Sequence, residues 1–355
     1  MKILHICLAG SYNDQWGYQD NIIPKYHKRQ GHEVTVLTSI LINKTRQKGF
    51  DKVEPGHYYL DDGVKIVRIP FIKSPFKNVI EKLRIYSKIK SKLVEEQPEI
   101  IFIHGLQFLS IITVINYIKQ NHLSKIVVDN HADFSNSART WFSKTIVHKI
   151  LWRYVAKYIE PYISRFYGVT PSRVDFLVNV YRLSSSKVHL LPLGADDDFV
   201  KASKTDKVRK QIRQKIDVKE SDLLIITGGK IDKSKWQTFQ LIDALVSLNF
   251  DDIKLVIFGA ISEDLEVKFN EYLRHKSIKF IDWLEQNETY DYLAASDLAI
   301  FPGRHSVLWE QAAGLGIPLI VKYWKGMNHI DLGGNCIFLY KESVEEISQH
   351  LVNIY

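Results

Sequence analysis

Two lysines, Lys230 and Lys235, stand in the segment GGKIDKSK (228–235), directly after the apolar run 223–227. Ammonium groups leaving the carboxyl end of a parallel strand face the crevice where open α/β sheets hold ligands. Downstream, FPGRHSVLWEQAAGLGIPLIV (301–321) reads as a strand, a tight turn, a helix beginning near Ser306 with Glu310 in its first turns, a glycine stop and a buried strand over 318–321. Cations and a helix N-terminus suit phosphates, and a carboxylate suits the two hydroxyls of a vicinal diol. The predicted ligand is therefore a nucleotide diphosphate. Gly303 lets backbone approach it closely, and Arg304 or His305 has the charge to stabilise a departing phosphate. Ser306 is read as the helix N-cap.

Other candidates are fewer. His131 and Asp133 follow a buried strand at 126–128, and Trp283 has a face on which a nucleobase stacks or its own domain packs. Asp196, Asp197 and Asp198 read as turn and cap residues. No Cys/His spacing suits zinc, and no Walker lysine motif, G-x-G-x-x-G loop or G-x-S-x-G elbow is present. A metal site is not expected.

The elements that must position these groups alternate along the chain. Strand-like runs at 3–8, 34–37, 64–69, 100–103, 126–128, 166–169 and 188–191 are separated by segments of helical spacing, the pattern of a doubly wound parallel sheet. A charged stretch over 201–219 has no strand-type run, and a second alternation follows at 223–227, 255–258, 278–281, 298–301, 318–321 and 337–339. Two Rossmann-like domains are predicted, 1–200 and 201–355. At 355 residues, 45% hydrophobic and 25% charged, the chain is long enough for two cores.

Cys7 lies in the first strand and Cys336 in a late one, so no disulfide framework is indicated, and the apolar core of MKILHICLAGS is too short for a secretory signal. A cytoplasmic location is expected. The net charge of +8 is uneven. Residues 71–92 carry Lys73, Lys77, Lys82, Arg84, Lys88, Lys90 and Lys92 among apolar groups, and residues 139–162 mix Arg139, Lys144, Lys149, Arg153 and Lys157 with Trp141, Phe142, Trp152 and Tyr154. Such faces suit the inner, anionic surface of a membrane, or else pack on their own sheet. Nucleic acid is not an expected partner.

These motifs carry a family resemblance. GGKIDKSK resembles the G-(R/K)-x-x-x-x-K phosphate clamp of the retaining GT-B glycosyltransferases of family 4, and WEQAAGLGIPLI resembles their E-A-x-A-x-G-x-P-V-I run. DWLEQNETYDYLAASDLAIFPG, VDNHAD (128–133) and KVHLLPLGADDDF match further passages of the same family. The resemblance implies two facing doubly wound domains, the first on the acceptor side and the second holding the nucleotide sugar. It implies metal-independent transfer with retention from a nucleotide-diphosphate sugar, with UDP the expected nucleotide, to a glycan or lipid-linked acceptor in envelope polysaccharide synthesis. No cofactor is implied beyond that co-substrate. Catalytic roles are implied for His131, Lys230 and Lys235, and donor contacts for Gly17, Gly229, Lys230, Lys235, Gly303, Arg304, His305 and Glu310; Asn13 and Trp16 share the first loop with Gly17.

The family's Glu-x7-Glu pair is broken here, because the first Glu falls on Pro302. Its role passes to Arg304, His305 or a backbone N–H, or is absent. A non-catalytic nucleotide-sugar-binding subunit and a GT-B-fold epimerase are the alternatives. The chain also ends partway into a helix from Ser343, where the family usually continues into a longer tail.

Overall fold

The computed structural model describes residues 1–14, 16–44, 49–121, 124–138 and 140–355. Among the described residues, two compact units divide between Leu193 and Gly194. In the first unit, β1 (Lys2–Cys7), β2 (Glu33–Ser39), β3 (Leu41–Asn43), β4 (Phe50–Lys52), β5 (Gly56–Tyr59), β6 (Lys65–Ile69), β7 (Ile100–His104), β8 (Lys125–Asn130), β9 (Arg165–Gly168) and β10 (Val188–Leu190) follow in chain order. Eight of them form one sheet in the order β10-β9-β8-β7-β1-β2-β6-β5, while β3 and β4 make a separate hairpin. All neighbours in the large sheet are parallel except β5, which runs against β6.

β1, β7 and β8 read as nearly continuous apolar runs because helices cover both faces of a parallel sheet. Their Leu4, Ile6, Ile101, Ile103, Ile126 and Val128 join one core with Phe108, Phe166 and Phe176. The strand β5 escapes the apolar pattern because all four of its residues are exposed at the sheet edge.

The second unit holds β11 (Leu223–Ile231), β12 (Ile253–Ile261), β13 (Ile278–Ile281), β14 (Leu298–Phe301), β15 (Leu319–Lys322) and β16 (Cys336–Leu339). Their order, β13-β12-β11-β14-β15-β16, is parallel throughout. Each face of this sheet has its own core, one around Trp309 and Tyr290, the other around Phe239 and Ile257.

Both sheets wind outward from a central pair. In the first unit that pair is β1 and β7, in the second β11 and β14. At such a switch point the helices leave to opposite faces, opening a crevice beyond the carboxyl ends of the strands.

The first basic segment is not one continuous amphipathic face, whereas the second is a single helical run. Residues 71–92 contain the short helix Lys77–Leu83 and enter another, Ile89–Glu96, with Arg84 (φ 54) and Lys88 (φ 63) left-handed between them. Tyr86 and Ile89 turn into the core. The second segment is helical from Ser143 to Ile159, opening with π-type turns, and its Arg139 lies outside the described residues. Among the described residues no helix is long and apolar enough to cross a membrane.

Candidate functional site

At the second unit's switch point β11 runs four residues beyond its apolar stretch, because glycines let it stay paired with β12. Gly229 opposes Gly259, and a Cβ on Gly259 would lie 2.1 Å from the Gly229 carbonyl oxygen. A Cβ on Gly228 would meet the Phe258 ring at 2.6 Å. Lys230 is thus still in the strand, exposed, with its ammonium 5.9 Å from the Trp283 ring centroid. A short 3-10 turn, Lys233–Lys235, then brings Lys235 back over the strand end.

Gly229 has φ +104, and a Cβ there would sit 3.0 Å from Lys235 Nζ, while one on Gly303 would sit 3.5 Å from Lys235 Cγ. Lys235 therefore lies against the two glycines at the ends of β11 and β14. Burial pushes its ammonium down to about 8, even with the Asp232 carboxylate nearby. Lys233, two residues earlier, is exposed and pairs with Asp264 at 3.1 Å.

The turn after β14 leads to a helix, Leu308–Leu315. Ser306 is not its N-cap: Val307 holds that place, and Ser306 Oγ accepts the Leu308 N–H only at 3.4 Å. The first i to i+4 bond runs from the Gln311 N–H to the Val307 carbonyl at 3.0 Å, while the Ser306 carbonyl closes a tighter turn with the Trp309 N–H at 3.0 Å.

Glu310 is buried in the first turn. Its Oε1 meets His305 Nε2 at 2.7 Å and His329 Nε2 at 3.1 Å. Burial alone would raise the Glu310 pKa, but the hydrogen bonds and charge of these two imidazoles outweigh it and hold the carboxyl at about 2. The other oxygen, Oε2, is buried with no hydrogen-bond partner among the described residues, as are His329 Nδ1, Trp309 Nε1 and Gln237 Oε1. Buried polar atoms left without partners are costly, so such a cluster is suited to a polar ligand. Arg304 stands near Lys322, and its charge adds to burial in lowering that lysine's pKa.

In the first unit His131 follows β8, with 42% of its side chain exposed, and its Nε2 lies 3.2 Å from Asp129 Oδ1. Asp129 is fully buried and also accepts from His104 Nδ1 at 2.8 Å and from the Gly105 N–H at 3.1 Å. Asp133 instead braces its own loop, accepting from Ser135 and Asn136 and facing Arg173 at 3.2 Å. Gly17 lies just before the helix Gln19–Arg29. Asn13 ties its loop to β3 through the backbone of Asn43.

His104, Asp129 and His131, and likewise His305, Glu310 and His329, bring atoms of metal-binding type within 4.8 Å of one another. In both groups these atoms meet one another as imidazole–carboxylate contacts.

The sequence model described as Glycosyltransferase Family 4 matches residues 25–199, and that described as Glycosyl transferases group 1 matches residues 208–320. The chain belongs to the family 4, group 1 type of glycosyltransferases. No curated protein matches it in sequence. Solved structures do match the fold of this glycosyltransferase. Sucrose-phosphate synthase from Thermosynechococcus elongatus superposes with TM-score 0.69 at 13% identity, covering 99% of this chain and 89% of that one. A glycosyltransferase from Rickettsia africae gives 0.67 at 15% identity, covering 99% and 87%. Anabaena HepE, solved with UDP and glucose, gives 0.65 at 12% identity, covering 99% and 89%. These likenesses establish the GT-B architecture.

The sequence reading of this glycosyltransferase missed His329, Asp129 and His104. The signals are faint. His329 stands in KGMNHIDLGGN, a polar, glycine-bearing loop after β15, and His104 ends an apolar run immediately before a glycine. His104 marks the carboxyl end of a strand and His329 lies in the connection that follows one, the side of the sheet where ligand-facing residues gather.

Proposed function

We propose that this glycosyltransferase moves a sugar with retention, without a metal ion, from a UDP-linked donor to a glycan or lipid-linked acceptor in envelope polysaccharide synthesis. The second unit holds the donor and the first presents the acceptor. The observation that carries the reading is the position of Lys235, a desolvated ammonium packed between Gly229 and Gly303 at the switch point of the second sheet. A desolvated cation gains most from a dianionic partner. Lys235 and Lys230 bind the diphosphate, Gly229 and Gly303 let it approach, and Glu310 receives ribose hydroxyls on Oε2. As the glycosidic bond breaks, negative charge grows on the leaving phosphate, and preorganised cations stabilise it there. That phosphate takes the acceptor hydroxyl's proton, so no strong base is needed. For His131 and Gly17, both in the first unit, a contact to the sugar rests on the family resemblance alone.

The missing first Glu bears on this reading. His305 is engaged with Glu310, and Arg304 and the backbone N–H groups of the same turn are the other candidates for the sugar side of the donor. A thermal-shift screen of UDP-, GDP- and ADP-sugars tests the donor assignment, since a ligand at about 100 times its Kd adds about 2.7 kcal/mol of stability. UDP-sugars are expected to give the largest shift; a larger shift with another base overturns the UDP assignment. Transfer is expected to persist in EDTA, and loss of activity restored by manganese would overturn metal independence.

The lipid-linked acceptor is supported by a second surface. Phe142, Ile146, Ile150 and Tyr154 are exposed at four-residue intervals along one helical segment, beside exposed Trp141 and flanked by exposed Lys144, Lys149 and Lys157. Apolar and aromatic groups at headgroup depth with lysines around them suit an anionic bilayer. Sedimentation with vesicles containing phosphatidylglycerol should exceed that with neutral vesicles and fall as salt rises. Equal recovery on both at low salt rejects this surface.

A further inference from the structure

The buried carboxylate Asp129 is the end of a longer chain. His104 Nδ1 meets Asp129 Oδ2 at 2.8 Å, His104 Nε2 meets His5 Nδ1 at 3.0 Å, and His5 Nε2 meets His27 Nδ1 at 3.0 Å. The His5 and His104 rings are nearly parallel, 16° apart, which suits a hydrogen bond lying in both ring planes, and Phe102 stacks on each. His5 is fully buried in β1 and His104 is buried at the end of β7. His27, on the helix Gln19–Arg29, is half-buried, with the His32 ring 6.2 Å away. The row therefore leads from a solvent-accessible imidazole, across the sheet centre, to the carboxylate that His131 shares.

Two proton arrangements satisfy every link. With each histidine neutral, donors point toward the carboxylate: His27 Nδ1–H to His5 Nε2, His5 Nδ1–H to His104 Nε2, and His104 Nδ1–H to Asp129. A proton added at His27 Nε2 displaces the Nδ1 proton onto His5, which passes its own Nδ1 proton to His104. The result is one extra proton, as a cationic His104 beside Asp129, with the two remaining links reversed and none broken. We infer that His27, His5 and His104 form a proton relay that charges His104 from solvent and so sets the proton affinity of His131 through their shared carboxylate, Asp129. Its bearing on transfer rests on the reading of His131 given above; His104 and His5 are positioning residues for it.

The surroundings favour His104 as the resting place of the proton. Burial works against its cation, but the Asp129 carboxylate outweighs this and raises its pKa. His5 is pushed well down by burial and by the neighbouring His104 and His27, and His27 is lowered by burial, His32 and His104. Asp20, at the start of the same helix as His27, also faces His104 and is itself raised by burial. His131 and His104 thus share the Asp129 carboxylate, with Asp20 facing both, and a proton on one disfavours a proton on the other.

The test follows the imidazole signals of histidine-labelled full-length protein by NMR from pH 5 to 8.5. His5→Phe removes the acceptor for a charged His104, leaves His104 neutral and frees the Asp129 charge for His131. The His131 midpoint is expected to rise by about one pH unit, the usual effect of one nearby charge. His27→Gln, at the accessible end, is expected to shift it in the same direction by less, and serves if His5→Phe does not fold. A His131 midpoint unchanged in both variants, with thermal stability altered or not, overturns the relay and leaves the row as packing. This readout needs no donor or acceptor. If the midpoint moves while the pH profile of transfer does not, the relay stands and the role given to His131 in the reaction falls.

Discussion

At the carboxyl end of β7 in the first unit, Asp129 is met by the Gly105 N–H and by the His104 and His131 imidazoles, so both of its oxygens are engaged. Near the carboxyl end of β14 in the second unit, Glu310 accepts His305 and His329 on one oxygen and leaves the other buried without a partner. Both carboxylates are buried, Asp129 on β8 beside the central strand β7 and Glu310 in the helix that follows the central strand β14, and imidazoles pull the pKa of each below the ordinary carboxylate value against the opposing effect of burial. The difference lies in completeness. A completed network fixes the state of its own members, whereas an incomplete one is satisfied by something from outside. By this criterion the proposed donor site falls in the second unit, while the first unit's carboxylate is closed by its own neighbours.

The sharpest way to break this comparison is at Lys235. Removing one preorganised group that stabilises charge in the transition state costs on the order of 10²- to 10³-fold in rate, and Lys235→Ala is expected to lower kcat/KM by that amount. Lys235→Arg keeps the charge in a different shape and should retain part of the activity. Lys233→Ala, which removes only an exposed pair with Asp264, is expected to leave transfer nearly unchanged. Equal small effects for Lys233→Ala and Lys235→Ala would reject the phosphate clamp.

The two carboxylates provide the next test. Hydrogen bonds to a charged group contribute about 1.5–3 kcal/mol, so Glu310→Gln should weaken UDP binding on the order of 10- to 100-fold. Asp129→Asn should leave UDP affinity within about twofold and instead destabilise the fold by about 1–3 kcal/mol, because a buried network loses a partner. Calorimetric binding and thermal unfolding of both variants separate the outcomes. If Asp129→Asn weakens UDP as much as Glu310→Gln does, completeness of the network does not distinguish the two sites.

Much of this was legible in the chain because parallel strands buried on both faces write themselves as apolar runs; 100–103, 126–128 and 298–301 fall within β7, β8 and β14. The runs at 223–227 and 298–301 also pointed to Lys230, Lys235, Gly303 and Glu310 as residues that follow β11 and β14 strand stretches; their roles in binding are part of the proposal. What the chain does not display is register. His104 and Asp129 are 25 residues apart and become neighbours only because β7 and β8 pair at that position. His329 reaches Glu310 from a loop 19 residues away that has neither helical nor strand periodicity. The extension of β11 past residue 227 was hidden because glycine signals a break in a single strand, whereas here Gly229 and Gly259 oppose each other and allow the pairing to continue.

The pH dependence of binding sharpens the comparison further. The Lys235 pKa of about 8 lies below the ordinary lysine value, so the free site loses its charge as pH rises through that point. Affinity for a UDP-sugar, whose diphosphate has no proton titrating in this range, is expected to be flat from pH 6 to about 7.5 and then to fall, by up to about tenfold per pH unit, until the bound-state pKa is passed. Glu310, held at about 2, stays ionised throughout and contributes no slope. Lys235→Ala should remove the alkaline fall. A wild-type profile that stays flat to pH 9.5 means that the ammonium does not touch the diphosphate.

The smallest expected effect belongs to His329, and it tests whether the unpartnered oxygen of Glu310 is held in place for a ligand. Glutamine at this position can still donate an amide N–H to Glu310 Oε1, but it replaces a rigid ring with a flexible chain and does not carry positive charge. The loss should be that of one weakened hydrogen bond, about 1 kcal/mol, or roughly fivefold in UDP affinity. Because the ribose is held in the ground state and the transition state alike, the loss should appear in KM for the donor and leave kcat unchanged. His104→Gln in the first unit, with the same chemical change beside the other carboxylate, should leave the donor KM alone. If His329→Gln lowers kcat at constant KM, the imidazole acts on the breaking bond and not on the ribose, and Glu310 belongs to the reacting end of the donor.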